Sequence, residues 1–274
     1  MKKLFIIFLI SLPLFSQKII NIACVPWKAP EDLQTFYKPL FKLIEDKTKY
    51  KINFMIAKDY LELSQRIDNK SVDIGLFGAN SYIEAKKKNP YLIYLATINF
   101  PKDHYYSLIV SRKDSKLKTI KDLKDKNFAF TDIGSTSGYV YPSLMLYKSG
   151  VKEPKNYFKS VSMLKKHYKV YNAIAKGSID AGGCSITSLQ NAIEDNGDIY
   201  HIIKKSKPIP SDPITAGAHL DKKLIKKLKK IFKESKNSNY FNKYKSDLKG
   251  LSVRDDSFYD IVREANSFVK NKDK

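Results

Sequence analysis

An α/β fold in two lobes is what the patterning of the chain predicts, each lobe a mostly parallel sheet flanked by helices. Short β-rich apolar runs alternate with segments of helical period, the signature of βαβ units. With 274 residues, 43% apolar and 12% aromatic, there is surface enough for a sizeable core, and the composition excludes disordered, collagen-like and repeat-dominated chains. The rhythm is broken near residues 105–111 and again near 208–215, where the chain can cross from one lobe to the other.

Taken in order, residues 19–25 (IINIACV) form an apolar, β-rich first strand. A helix-period stretch runs from about 31 to 46, followed by a strand at 51–56 and a helix at about 60–69. A strand at 72–77 and a helix from Ser81 complete the first block. The long β-rich run 105–111 opens the second, with a short helix at 117–123, a strand at 128–132 and a helix at 138–149. A helix near 170–176 and a strand at 179–185 repeat the pattern. The prolines Pro208, Pro210 and Pro213 mark a connection, and helices at 222–233 and 257–269 end the chain. This assigns 17–107 and 209–274 to the first lobe and 108–208 to the second, with the two ordered crossovers acting as a hinge.

The first residues read as an export signal. Lys2 and Lys3 precede an apolar run over 4–15 that is interrupted by Pro13 and shorter than the roughly 20 residues a bilayer span needs. Segment 1–16 is expected to be removed near Ser16 and Gln17, and a retained anchor is the competing reading. Gln17 and Lys18 separate Cys24 from the apolar run, so Cys24 reads as part of a strand and not as a lipid attachment point. The mature chain is therefore expected in the periplasm, neither lipid-anchored nor stably inserted in the membrane. Cys24 and Cys184, the two cysteines, lack the paired spacing of a disulfide framework or a zinc site. They read as small buried hydrophobes, with a single bridge left open.

A formal net charge of +22 suggests a polyanionic partner, nucleic acid or an anionic membrane. Its distribution argues otherwise. In 222–233, Leu224, Ile225, Leu228, Ile231 and Phe232 make one apolar stripe and the intervening lysines fall on the opposite face, a solvated surface. No nucleic acid partner is expected. Neither is a metal or cofactor, since the four histidines and two cysteines show no ligand spacing.

The clearest chemistry lies at 127–139. A β-run turns at Gly134 and a helix starts with Ser135, Thr136 and Ser137. Three hydroxyls at a helix N-terminus, with its free N–H groups and positive dipole end, suit an oxyanion. A simple N-cap needs only one of them. The stretch is not a hydrolase nucleophile elbow, because the central position of that register is Thr136.

Several strings together resemble one family: Pro26-Trp-Lys-Ala-Pro-Glu31, Val72-Asp-Ile-Gly-Leu-Phe-Gly-Ala-Asn-Ser-Tyr82, Phe128-Ala-Phe-Thr-Asp-Ile-Gly-Ser-Thr-Ser-Gly-Tyr139, Ile209-Pro-Ser-Asp-Pro213 and Asp256-Ser-Phe-Tyr-Asp-Ile-Val-Arg263. In order and spacing they are similar to the phosphate, phosphite and phosphonate substrate-binding proteins of ABC importers. The resemblance implies a type II periplasmic-binding-protein fold, a small phosphorus oxyanion held between the lobes, and delivery to a permease and ATPase complex. It implies a monomeric receptor, not an enzyme; a periplasmic sensing subunit for the same anions is the alternative.

Residue by residue, the resemblance places Ser135, Thr136 and Ser137 at the anion-gripping turn and Tyr60 at the first-lobe tyrosine. Tyr105 matches a second tyrosine, although His104 stands where the family has glycine, and Tyr106 is the other residue that could point inward, since strand neighbours face opposite sides. His167 matches a ligand-contacting histidine, with Tyr168 in place of the usual acidic residue. Asp212 matches the acid of the crossover, able to accept a P–OH proton or pair with a cationic tail. Thr187 aligns where aminoalkyl-phosphonate binders carry glutamate, which weighs against an ammonium-bearing ligand. Asn80, in the Gly78 turn, and Trp27, after the first strand, are further candidates. Each residue also has a structural reading: a half-buried tyrosine, a loop histidine after Lys165 and Lys166, an Asp-Pro turn or an N-cap. The order Ser137, His167, Asp212 raises a hydrolase triad as a rival, which geometry alone can decide.

Overall fold

The computed structural model describes residues 18–100, 102–235 and 239–270; the expected export signal, 1–16, lies outside them. In chain order the elements are β1 (Ile19–Cys24), α1 (Pro30–Thr48), β2 (Lys51–Ile56), α2 (Tyr60–Asp68), β3 (Ile74–Leu76), α3 (Ala79–Lys88), β4 (Ile93–Asn99), β5 (His104–Tyr105), β6 (Ser107–Arg112), β7 (Asn127–Phe130), α4 (Tyr141–Lys148), α5 (Pro154–Tyr157), β8 (Ser160–Met163), α6 (His167–Ala175), β9 (Ala181–Ser185), α7 (Leu189–Asn196), β10 (Tyr200–Lys205), β11 (Ile209–Pro210), β12 (Pro213–Ala216), α8 (Lys222–Ser235), β13 (Gly250–Ser252) and α9 (Asp260–Lys270).

They build two sheets, ordered β13-β4-β12-β3-β1-β2 and β10-β6-β9-β7-β8. The βαβ rhythm accounts for the parallel part of each: β2 and β3 flank β1, and β8 and β9 flank β7, all parallel. The remaining neighbours pair antiparallel, so both sheets are mixed. Strands β4, β8, β10, β11, β12 and β13 are the ones the sequence reading did not mark. β4 and β12 follow proline-containing connections that mask a strand start, and β10 ends in the charged pair Lys204 and Lys205. The short helix expected at 117–123 shrinks to a 3₁₀ turn, Lys121–Leu123. A π-helical turn, Thr136–Val140, precedes α4 where a regular helix start was expected.

Burial explains why these elements stay put. Leu108 and Val110 of β6 face one side of the second sheet with Val170 and Ile174, whereas Ile109 faces the other with Phe128 and Leu146. That is the two-residue period of a strand covered on both faces. The stripe Leu224, Ile225, Leu228, Ile231 and Phe232 of α8 is buried as its spacing requires. Cys24 and Cys184, one in each sheet, are buried free thiols. Among the described residues no helix is long and apolar enough to cross a membrane.

The sheets are joined by a two-stranded ribbon in which Ile209 pairs with Tyr105 and Pro210 with His104. The outgoing and returning crossovers thus lie side by side, and each leads directly into a cleft residue, Tyr105 or Asp212. Helix α9 also reaches across, stacking Phe268 edge-on against Tyr147 of α4 with ring centroids 4.7 Å apart. Replacing the fully buried Leu228 of α8 by alanine is expected to cost about 3 kcal/mol of stability in urea unfolding. A loss below about 1 kcal/mol would contradict the assigned stripe.

Candidate functional site

A cavity of about 20 Å³ lies between the sheets. This is little more than the ~10–15 Å³ needed for one water, so the walls stand close together. Seven sequence candidates line it together, Tyr60, Tyr105, Ser135, Thr136, Ser137, His167 and Asp212, joined by Trp27 and Thr187.

Local structure aims each of them. Asp59 caps α2 by accepting from the Leu61 and Glu62 N–H groups at 3.1 and 2.9 Å, which places Tyr60 on the first helical position. At the end of β7 the chain turns so that Ser135 Oγ accepts the Gly138 N–H at 3.0 Å. Gly138 has no substitute there, because a Cβ would fall 1.8 Å from Thr131 Oγ1. Ser107 Oγ donates to the Ser137 carbonyl at 2.7 Å and ties the turn to β6. Trp27 donates its indole N–H to Tyr37 Oη at 3.1 Å, so it offers the cavity a ring and not a donor.

His167 opens α6 and is buried. Its Nδ1 accepts the Ser185 N–H at 3.1 Å, so in the neutral ring the proton sits on Nε2, which lies 3.4 Å from Ser135 Oγ. Burial lowers its pKa to about 4. At neutral pH His167 is therefore an uncharged donor. These partners also exclude the triad: His167 meets Ser135 instead of Ser137, and a backbone N–H instead of the Asp212 carboxylate.

Among the described residues Asp212 is the one carboxylic acid lining the cavity. Its backbone is held on three sides: the Ile98 N–H donates to the Asp212 carbonyl at 2.9 Å, Tyr259 Oη to the Ser211 carbonyl at 2.9 Å, and the Phe77 N–H to the Pro213 carbonyl at 3.2 Å. Burial raises its carboxyl pKa to about 7. Burial also pushes the Tyr60 hydroxyl well above the ordinary phenol range, an effect the Ser135 hydroxyl partly offsets. Tyr105 rises for the same reason, with the nearby Asp212 charge adding to it. Both phenols are protonated donors at any physiological pH. No lysine or arginine lines the cavity among the described residues.

Two candidates are placed elsewhere. Tyr106 points to the opposite side from Tyr105, with Lys205 Nζ 3.8 Å from its ring centroid and His104 edge-on; the strand alternation admits only one of the pair. Asn80 does not line the cavity. It bonds across the cleft, its N–H donating to Thr136 Oγ1 at 2.8 Å and its Nδ2 to the Gly134 carbonyl at 3.2 Å. The sequence reading missed Ser185, whose N–H sets the His167 tautomer and whose Oγ lies 2.7 Å from Thr187 Oγ1. Its position at the C-terminal end of a strand was the available signal. Phe100 was missed because β4, which leads to it, was missed; it walls the cavity and meets Trp27 edge-on at 5.9 Å.

A family model for ABC-transporter phosphonate periplasmic substrate-binding proteins matches residues 22–258. The chain belongs to this family. It is accordingly a solute-binding transport component and not an enzyme. The phosphate-import protein PhnD of Mycolicibacterium smegmatis is 28% identical over 81% of this chain and 73% of its own. Among solved structures, a binding-protein component of an ABC phosphonate transporter from Pseudomonas aeruginosa superposes with a TM-score of 0.83 at 24% identity, covering 94% of this chain and 88% of that one. PhnD1 of Prochlorococcus marinus, solved with methylphosphonate, gives 0.81 at 18% identity over 92% and 98%. These structural likenesses establish the two-lobed fold.

The two perturbed groups act on stability with opposite signs. Between about pH 4 and 7 native Asp212 keeps a proton that the unfolded carboxyl has released, so its contribution falls as pH rises. Between about pH 4 and 6.5 native His167 lacks a proton that the unfolded imidazole holds, so its contribution rises. Asp212→Asn removes the falling part. Its urea midpoint is expected to climb more steeply than wild type from about pH 4 to 6.5; an unchanged slope would contradict a buried, protonated carboxyl.

Proposed function

We propose that the cavity captures a small phosphorus oxyanion that retains a proton (phosphate, phosphite or a small phosphonate) and that the protein delivers it to the permease of an ABC importer. One observation carries this reading. Neutral donors from both lobes, Tyr60, Tyr105, Ser135, Thr136, Ser137 and the Nε2–H of His167, converge on a small buried space whose single acid is Asp212. Donors without a counter-cation suit an anion, and the carboxyl suits the P–OH that such an anion carries. The same carboxyl, ionised, repels an anion that has no proton to offer. Thr187 in place of an acid leaves nothing to pair a ligand ammonium except Asp212 itself.

Within the same reading, 17–107 and 209–274 act as one lobe and 108–208 as the other, hinged at the β5–β11 ribbon. Segment 1–16 directs export, and the mature monomer works in the periplasm without a lipid anchor. Isothermal titration tests the reading with phosphate, phosphite, methylphosphonate, 2-aminoethylphosphonate and sulfate at pH 8, where Asp212 is ionised. One of the first three is expected to bind at least about tenfold more tightly than sulfate, and Ser137→Ala to weaken it about tenfold with the fold intact. Failure of every phosphorus ligand to bind would refute the function.

A further inference from the structure

Several contacts join the lobes beside the anion cavity, and Thr136 and Tyr60 take part in both. Asn80, from the first sheet's side, holds Thr136 Oγ1 and the Gly134 carbonyl on the second, at 2.8 and 3.2 Å. Gly134 lies against Tyr60 so closely that a Cβ on it would fall 2.6 Å from the Tyr60 Cβ, far inside carbon contact. Only glycine lets the two banks meet at that point.

The second contact is a buried ammonium. Lys28, just after β1, is 8% exposed in its side chain and donates from Nζ to Asn191 Oδ1 of α7 at 3.1 Å. The ammonium also lies 5.2 Å from the Trp27 ring centroid and 5.9 Å from that of Phe36. Its one carboxylate neighbour among the described residues, Asp247, is 3.6 Å away with a side chain 73% exposed. Lys28 belongs to the first sheet's side and Asn191 to the second's, so the bond exists only while the lobes are together. A buried cation needs its acceptors. Asn191 supplies the half-buried one.

We propose that Gly134 and Asn191 are positioning residues that set ligand affinity through lobe closure, Asn191 without itself lining the cavity. This rests on the capture function proposed above. Apparent affinity scales with the population of the closed form, so a closure contact multiplies the affinity for every ligand by one common factor. A residue that touches the ligand instead changes the ratio between ligands. Gly134→Ala forces Tyr60 and the turn apart in the closed form. Asn191→Ala strands the Lys28 ammonium in the closed form and leaves the open form unharmed.

The test is titration of wild type, Gly134→Ala, Asn191→Ala and Asn191→Asp with phosphate and with methylphosphonate, paired with small-angle X-ray scattering. Asn191→Ala is expected to weaken whichever of the two ligands wild type binds about tenfold, by the same factor where it binds both, chiefly through faster release. Asn191→Asp, which keeps an acceptor for Lys28, is expected to stay within about twofold of wild type. Gly134→Ala is expected to weaken binding more, and to stay extended at phosphate concentrations that compact the wild type. Wild-type affinity in both Gly134→Ala and Asn191→Ala would overturn the proposal, and so would unequal losses for the two ligands in Asn191→Ala. If wild type binds neither anion, the comparison is made with phosphite; if that too fails to bind, the capture reading falls first and takes this proposal with it. Should one alanine variant fail to fold, by circular dichroism, the other alone decides.

Discussion

The carboxyl of Asp212 is buried where, among the described residues, no lysine or arginine lines the cavity, and that placement constrains everything around it. A carboxylate taken out of water without a partner is costly, and burial answers by holding its proton up to about pH 7. The residue cannot drift to solvent. Three backbone bonds from β4, β3 and the tyrosine at the head of α9 fix the segment Ser211 to Pro213. The cleft therefore contains one group whose proton is in play near neutrality, and it is surrounded by donors whose protons are not.

That division of labour depends on His167 and the tyrosines staying neutral. The Ser185 N–H occupies Nδ1 of His167, and burial keeps the ring uncharged. A protonated histidine would bring a full charge into the cavity, against the neutral character of the other donors. The serine-rich turn adds hydroxyls at the start of a π-helical turn, polar groups that bring no charge of their own. Closure then completes the arrangement, since Tyr60 and Tyr105 stand on the first sheet's side and the turn and histidine on the second's.

Much of this was legible in the sequence. The stripe of α8 and the triple hydroxyl between Gly134 and Gly138 announce themselves through spacing, because helix periodicity and capping are local. What stayed hidden is what tertiary context decides. β4 and β10 pair antiparallel with distant strands, and nothing nearby in sequence marks them. Tyr105 and Tyr106 are equivalent until the ribbon with Ile209 and Pro210 sets which faces inward. Asn80 sits in a turn that looks ready for a ligand, yet its donors are spent on the other lobe. The basic excess, the first feature to suggest a polyanion, lies largely on exposed lysines such as Lys222, Lys226, Lys229 and Lys233, which are absent from the cavity walls. It can raise the encounter rate of a small anion by steering and does not hold it.

The central claim is that Asp212 selects a ligand by the proton it carries. The ratio of phosphate to sulfate affinity at pH 8, compared between wild type and Asp212→Asn, tests it most directly. An amide both donates and accepts and carries no charge, so the account predicts that the ratio collapses toward one through a gain in sulfate binding. A ratio that stays at the wild-type value would contradict it.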